Sequence, residues 1–502
     1  MIEILAAASV LGAAVAAMRW LRVAQREHYL PGVTRFARLW WGIDGGNRVL
    51  FALGVASCLL ALVVPPAGLV AVAAALMGPL GLGVKGRTSS LAWTARLRRL
   101  AGVAGFLALC LVAIGVWVEA AWFIAAVPLG LPLVVDAGLR LTASFERSRG
   151  NRWVAQAAES LVRIDPTVVA ITGSYGKTST KNLVSHLLGG VRAVTASPAS
   201  FNNRMGLARA VNEHLAAGTD VFVAEMGTYG PGEIRDLCEW IPPDVAVITA
   251  LGPVHLERMR SLATIASAKR EILEGAPVAV VSVDHPLLAK IATEEAASRR
   301  IVTASGSGNT ADVCATADGT VVVAGVEVGR FQPERAHPGN VACAVGVLVA
   351  LDIDLGHVAS RLGELPEVAH RRTVGRSERG FDIVDDTFNA NPAGARAALE
   401  LLSGLGRPRG RKVVVTPGMI ELGAAQDAAN RTFALDASQH GVTDFVVVNR
   451  TNRPSLVTGA REAGIASVIV LDTREEAVRW VRETLAEGDA ILYENDLPDH
   501  YP

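Results

Sequence analysis

The stretch Ile171-Thr-Gly-Ser-Tyr-Gly-Lys-Thr-Ser-Thr180 joins an apolar, β-branched run, Thr167-Val-Val-Ala-Ile171, to residues 181–188, which have helical spacing. A strand, a glycine turn and a helix that opens on Gly-Lys-Thr can cradle phosphates. Glycine lets the backbone curl until successive N–H groups face one anion. The helix N-terminus adds its positive dipole end. Gly173, Ser174, Tyr175, Gly176, Lys177, Thr178 and Ser179 are therefore the candidate nucleotide-binding loop. Lys177 supplies a point charge for the outer phosphates and the Thr178 hydroxyl can ligate magnesium. The loop is shorter than the common GxxxxGK[ST] pattern, because position 171 is Ile.

Four more sites follow in order. Asn202 and Asn203 lie in Ala199-Ser-Phe-Asn-Asn-Arg-Met-Gly206. Glu225 ends the strand-like run Val221-Phe-Val-Ala-Glu225. His255 stands in the turn Gly252-Pro-Val-His255, and Lys269 lies in the helical stretch Ala266-Ser-Ala-Lys-Arg-Glu-Ile272. Open α/β sheets bind ligands at the carboxyl ends of their strands, where Glu225 falls. Taken singly, these residues read as a solvated strand end, a structural turn and a surface lysine. Behind a phosphate loop they form a set. Only six lysines occur in the chain, at 85, 177, 181, 269, 290 and 412, so each raises the question of a required primary amine.

With these motifs the sequence resembles the ATP-dependent Mur ligase superfamily, nearest its D-alanyl-D-alanine-adding branch. Further matching segments are Ala268-Lys-Arg-Glu271, His370-Arg371, Asp385-Asp-Thr-Phe-Asn-Ala-Asn-Pro392 and Gly418-Met-Ile-Glu-Leu-Gly423, and the resemblance spans about residues 165–495. It implies a reaction in which a carboxylate attacks the γ-phosphate of ATP and the acyl phosphate is captured by an amine, with Mg2+ as the metal. It assigns catalysis to Lys177, His255 and Lys269. Thr178 and Glu225 are implied to hold one magnesium, and His255 and Lys269, the latter as a carbamate, a second. Asp284, Asn340, Arg371 and Asp386 match nucleotide-gripping positions, and Asn202, Asn203, Asn389 and Asn391 match substrate-facing ones. The sequence departs from the pattern in three places. The UDP-sugar-binding N-terminal domain is replaced by apolar sequence. The adenine-side Asn-x-Asp is Ser282-Val-Asp284. A terminal Lys-Gly-Ser is replaced by Glu494-Asn-Asp496, an acidic tail expected to disfavour an anionic amine.

The elements that must position these residues divide the chain into three parts. Apolar runs near 2–18, 49–64, 67–84, 101–117 and 120–138 predict about five membrane spans. If one run lies in the membrane plane, four remain. The interiors of these runs carry no Asp, Glu, Lys or Arg, which argues against an ion pathway. Arginine-rich connections after the first, third and fifth runs place those loops, and everything beyond about residue 145, on the cytoplasmic side of the plasma membrane. The rest alternates β-branched runs with helical patterns. The predicted fold is an α-helical transmembrane region (1–148), a P-loop Mur ligase-like central α/β domain with a mostly parallel sheet (149–372) and a C-terminal Rossmann-like α/β domain (373–502). Lys+Arg and Asp+Glu are equal at 48 each, which gives no support for a nucleic-acid partner. Five scattered cysteines form no CxxC pair, so neither zinc nor a disulfide framework is read.

The function these features predict is a multi-pass, membrane-anchored, ATP-dependent amide ligase. Its partners would be ATP, a lipid-linked carboxylate and an amine or amino acid, in cell-envelope or peptidoglycan precursor synthesis. A poly-γ-glutamate-type capsule synthase is the nearest alternative. A transport ATPase is the alternative of another class, faintly suggested by Leu402-Ser-Gly-Leu-Gly406.

Overall fold

A computed structural model describes all residues except 87–89, 199–200, 367–372, 388–390 and 499. The chain opens with a helical bundle: α1 (Ile2–Arg26), α2 (Val33–Gly42), α3 (Gly45–Leu60), α4 (Gly68–Met77), α5 (Ala95–Trp117), α6 (Ala121–Ala126) and α7 (Leu131–Ile164). By length and composition α1 and α5 can each cross a membrane. The pair α2–α3 passes the same test only jointly, and it is bent by 112°. Of the other apolar runs, α4 has 10 residues and follows a short turn at Pro65–Ala67. The fifth run is divided between α6 and the start of α7. Leu11, Leu59, Val63, Phe106, Trp117 and Leu133 are exposed on the bundle. So much apolar surface needs a covering.

α2 lies between the first two apolar runs, in sequence that reads as a basic loop. Val33, Phe36, Ala37, Trp40 and Trp41 recur at helical spacing and are buried, while Arg35 and Arg38 take other faces. Asp136, near the end of the fifth apolar run, explains its own presence there. Its carboxylate accepts hydrogen bonds from the Gly32, Val33 and Thr34 N–H groups at 2.8, 2.9 and 3.1 Å, which satisfies the orphan donors at the start of α2.

The α7 helix is unbroken for 34 residues. The expected boundary at residue 148 falls inside it, so this helix is itself the link to the first α/β unit. That unit carries β1 (Thr167–Thr172), β2 (Val194–Ala196), β3 (Val221–Glu225), β4 (Val245–Ile248), β5 (Val278–Ser282), β6 (Arg300–Ser305), β7 (Val313–Ala315), β8 (Thr320–Val323) and β9 (Val326–Arg330), in the sheet order 2-3-1-4-5-6-7-8-9. Strands from β2 through β7 pair in parallel, and β7–β8–β9 are antiparallel. Residues 300–330 thus extend the sheet by a β6–β9 edge. Its tight turn is Ala324-Gly325, at φ 50° and 82°, the positive pair that a two-residue hairpin requires. Alternation along β1 sends Val168 and Ala170 into one core and Val169 and Ile171 into the other. A sheet buried on both faces accounts for its continuous apolar strands.

The second unit holds β10 (Thr373–Arg376), β11 (Asp382–Asp386), β12 (Lys412–Thr416), β13 (Asp444–Val448), β14 (Ser467–Leu471) and β15 (Ala490–Glu494), ordered 10-11-15-12-13-14. All its pairings are parallel except β10 with β11. The Leu402–Gly406 stretch is the end of the helix Pro392–Ser403 and its exit turn, with Gly406 at φ 75°.

Candidate active site

The phosphate loop leaves β1, where the connections switch from one side of the sheet to the other, the usual place for a ligand crevice. It leads into α8 (Lys177–Leu188). Gly176 has φ 80°, and a Cβ there would lie 2.1 Å from Asn340 Oδ1. Glycine is therefore required both for the left-handed turn and for close approach of the helix Pro338–Ala350. Ser174 Oγ donates to the Gly252 carbonyl at 3.0 Å, and Thr249 Oγ1 to the Tyr175 carbonyl at 2.5 Å. The Tyr175 ring lies against Gly252, and burial pushes its phenol pKa up. Lys177 Nζ donates to the Gly173 carbonyl at 2.8 Å, which folds the lysine back across its own loop. Ser179 is buried within the first turn of α8.

Glu225 is the hub of the crevice. It ends β3, 2% exposed. Thr178 Oγ1 and Lys181 Nζ donate to one carboxylate oxygen at 2.9 and 3.2 Å, and Asn202 Nδ2 to the other at 3.2 Å. A hydroxyl and a carboxylate this close are hard oxygen donors of the kind magnesium takes. Among the described residues no group of three or more His, Cys, Asp or Glu gathers as a metal cage. Lys181 joins the Glu225 cluster although no role was expected for it. The signal was available: it lies four residues after Lys177, hence on the same helix face, in a lysine-poor chain.

Lys269 is buried on the helix Leu262–Arg270. Burial first, and then the positive charge of Lys177, drive its pKa well below the ordinary lysine value. His255, at φ 52°, precedes the short helix Leu256–Met259. Its Nδ1 meets Glu421 Oε2 of the second unit at 2.5 Å, and the Tyr229 ring packs 4.7 Å from its own. Burial pushes the Glu421 carboxyl up, but the His255 hydrogen bond and the nearby charges outweigh it and hold its pKa below the usual range. Glu421 stands in the Gly418–Gly423 motif, which carried no residue role in the sequence.

The remaining predicted residues separate. Asp284 lies beside the Pro338 helix start, 3.6 Å from where a Gly339 Cβ would be. Its oxygens accept from Ser305 Oγ at 2.6 Å and from the Gly306 N–H at 2.8 Å. Asn203 and Asn391 are helix N-caps, accepting from the Gly206 and Gly394 N–H groups at 2.9 and 2.8 Å. Asp386 is fully buried at the end of β11. Arg371 and Asn389 lie outside the described residues.

The acidic tail differs from its expected form. Glu494 is fully buried, hydrogen-bonded by Thr416 Oγ1 and registered beside Asp386. Burial, and secondarily the Asp386 charge, push its pKa up to about 8. Asp496 pairs with Arg474 at 2.8 Å. The two acids are thus not free charges facing an amine, and the tail gives no ground for excluding an anionic one. A pH dependence follows from Glu494. The unfolded chain ionises this group above its ordinary 4.5, whereas the folded protein keeps the proton until about 8. Its contribution to stability is full below pH 4.5 and declines as pH rises through that window. Each unit of separation is worth about 1.4 kcal/mol. Denaturant titrations from pH 4.5 to 8 should show Glu494→Gln losing less stability than the parent.

A phosphate loop beside a hydroxyl–carboxylate pair, facing a second α/β unit across a His–Glu contact, suits ATP-dependent phosphoryl transfer. Residues 171–342 match the Mur ligase middle domain, and residues 370–493 the Mur ligase glutamate ligase domain. The chain belongs to the Mur ligase family and is an ADP-forming acid–amino-acid ligase. It is 31% identical over 363 residues to the UDP-N-acetylmuramoyl-tripeptide–D-alanyl-D-alanine ligase of Mycobacterium bovis, covering 67% of this chain and 68% of that protein. The Bacillus subtilis enzyme of the same name is 27% identical over 66% of this chain and 74% of its own. The MurF ligase of Thermotoga maritima in complex with ADP superposes with a TM-score of 0.56 at 26% identity, over 69% of this chain and 80% of that one. MurF from Acinetobacter baumannii shares the fold, with a TM-score of 0.60 at 22% identity over 69% and 77%.

Proposed function

We propose that this ligase works at the cytoplasmic face of the plasma membrane and joins a lipid-linked carboxylate to an amine, in peptidoglycan or other cell-envelope precursor synthesis. The observation that carries this reading is the position of the catalytic turn. Arg258, three residues beyond His255, contacts Glu27 at 2.6 Å, and Glu27 directly follows the apolar helix α1. A carboxylate carried on a lipid would reach that turn without leaving the membrane surface. The family matches begin at residue 171, so the helical bundle precedes the matched region. In this reading the bundle from α1 into the first half of α7 forms the membrane region, with α1 and α5 as its spanning helices, the ATP-binding domain follows to about residue 372, and 373–502 form the second ligase domain.

The loop at 173–179 would hold the phosphates, Lys177 would neutralise the outer ones, and Asp284 and Asn340 would border the nucleotide, with Asp386 from the second unit. Thr178 and Glu225 would hold magnesium, which would supply charge neutralisation during phosphoryl transfer. Asn202 would meet the substrate, and Asn203 and Asn391 would shape its side of the cleft by capping the helices that begin there. His255 and Lys269 would hold a second metal. A neutral, buried Lys269 can capture carbon dioxide as a carbamate, which turns an amine into an anionic ligand. Lys269→Ala should then lower ADP release by about a hundredfold, with partial recovery in excess bicarbonate or chloride. Full activity of that variant would remove the role.

The decisive experiment screens the purified full chain in lipid nanodiscs for ADP release, pairing lipid-linked carboxylates and UDP-muramoyl peptides with D-alanyl-D-alanine, glutamate and lysine. Turnover with the lipid-linked acid supports the reading. Turnover confined to the soluble nucleotide peptide overturns its membrane half.

A further inference from the structure

Two side chains between α1 and α3 each touch both ligase units at once. One Glu27 oxygen accepts from Arg258 Nη2 at 2.6 Å, and the other from His500 Nε2 at 2.8 Å. Arg258 belongs to the first unit, and His500 lies beyond β15, the last strand of the second. Arg35 repeats the arrangement. It pairs with Glu257 at 2.9 Å in the first unit and donates to the Tyr501 hydroxyl at 2.7 Å in the second. Glu257 and Arg258 both lie on the short helix that His255 begins.

The surroundings make these bonds firm. His500 is 2% exposed, and the Glu27 side chain 10%. Burial pushes the Glu27 carboxyl up, but the His500 hydrogen bond and the charges of Arg258 and Arg35 outweigh it, so Glu27 stays ionised. Charge-assisted bonds shielded from water are stronger than exposed ones. Trp40 Nε1 donates to the His500 carbonyl at 2.9 Å, and Arg450 pairs with Asp44 at 2.6 Å, so the second unit is moored to the bundle at further points. The His255–Glu421 contact exists only while the two units keep this relative position.

We propose that Glu27 and Arg35 are positioning residues for the ligation: they fasten the two ligase units around the His255–Glu421 contact, so that the helical bundle completes the working cleft. Neither touches the phosphate loop. The fastening should therefore govern turnover and leave nucleotide affinity alone.

The test uses the full chain in nanodiscs, with spin labels at positions 192 and 461 on the two units. The parent should give one narrow distance. Glu27→Ala/Arg35→Ala should broaden it and lower kcat for ADP release by about tenfold or more, while the affinity for a non-hydrolysable ATP analogue stays within about twofold. The reversed pair Arg35→Glu/Glu257→Arg should keep the narrow distance and most of the turnover, whereas Arg35→Glu alone should not. This arm stands even if the double alanine variant fails to fold. An unchanged distance and kcat in the alanine variant, or no rescue by the reversed pair, overturns the proposal. Loss of analogue binding in the parent would instead strike at the nucleotide site itself.

Discussion

Lys177→Met should abolish ligation, lowering kcat for ADP release by about a thousandfold or more, because phosphoryl transfer depends on positioning and charge neutralisation. The fold should survive. Lys177 is half-buried and donates to the Gly173 carbonyl of its own loop. Methionine keeps most of the stem that packs there. A melting temperature close to the parent's, with ADP release at background, is the expected pair of results. A variant that still turns over at a tenth of the parental rate would show that the loop does not hold the transferred phosphate.

The second large effect belongs to Glu225, and it divides into two parts. Glu225→Ala removes the carboxylate that faces Thr178, so turnover should fall by about a hundredfold or more through loss of magnesium. It also deprives Lys181 of an acid 3.2 Å away in a setting where both side chains are almost fully buried. Breaking one side of a buried ion pair costs on the order of 3–5 kcal/mol. Adding Lys181→Met should recover much of that stability and none of the activity. Thermal melts and ADP release on the two variants separate the effects. Recovery of both together would make Glu225 purely architectural.

The phosphate loop was legible because glycine, lysine and threonine at fixed spacing after a strand have few other uses. Glu225 was legible because strand ends in open sheets face the crevice. Lys181 and Glu421 were harder to see, since their partners are set by tertiary register and not by neighbouring sequence. The α2 helix was hidden by its arginines, although its Phe and Trp positions carry the helical period. Asn203 and Asn391 could have been read as caps. Each is followed three residues later by glycine, and Asn391 directly precedes a proline, a helix-start signal. Glu494 could not be read at all. A glutamate near a chain end looks like solvent-exposed charge until the pairing of β15 with β11 buries it beside Asp386.

The unbroken α7 helix carries a mechanical consequence. At 1.5 Å per residue its 34 residues make a rod of about 50 Å. A rod without a joint transmits torque, so the bundle cannot rotate independently of the first unit's sheet. One residue added to its outer half would swing the sheet by about 100° around the rod axis and carry the crevice away from Glu27 and Arg35. The helix thus sets the azimuth of the whole catalytic assembly, and its length is as much a part of the machine as any side chain in the crevice.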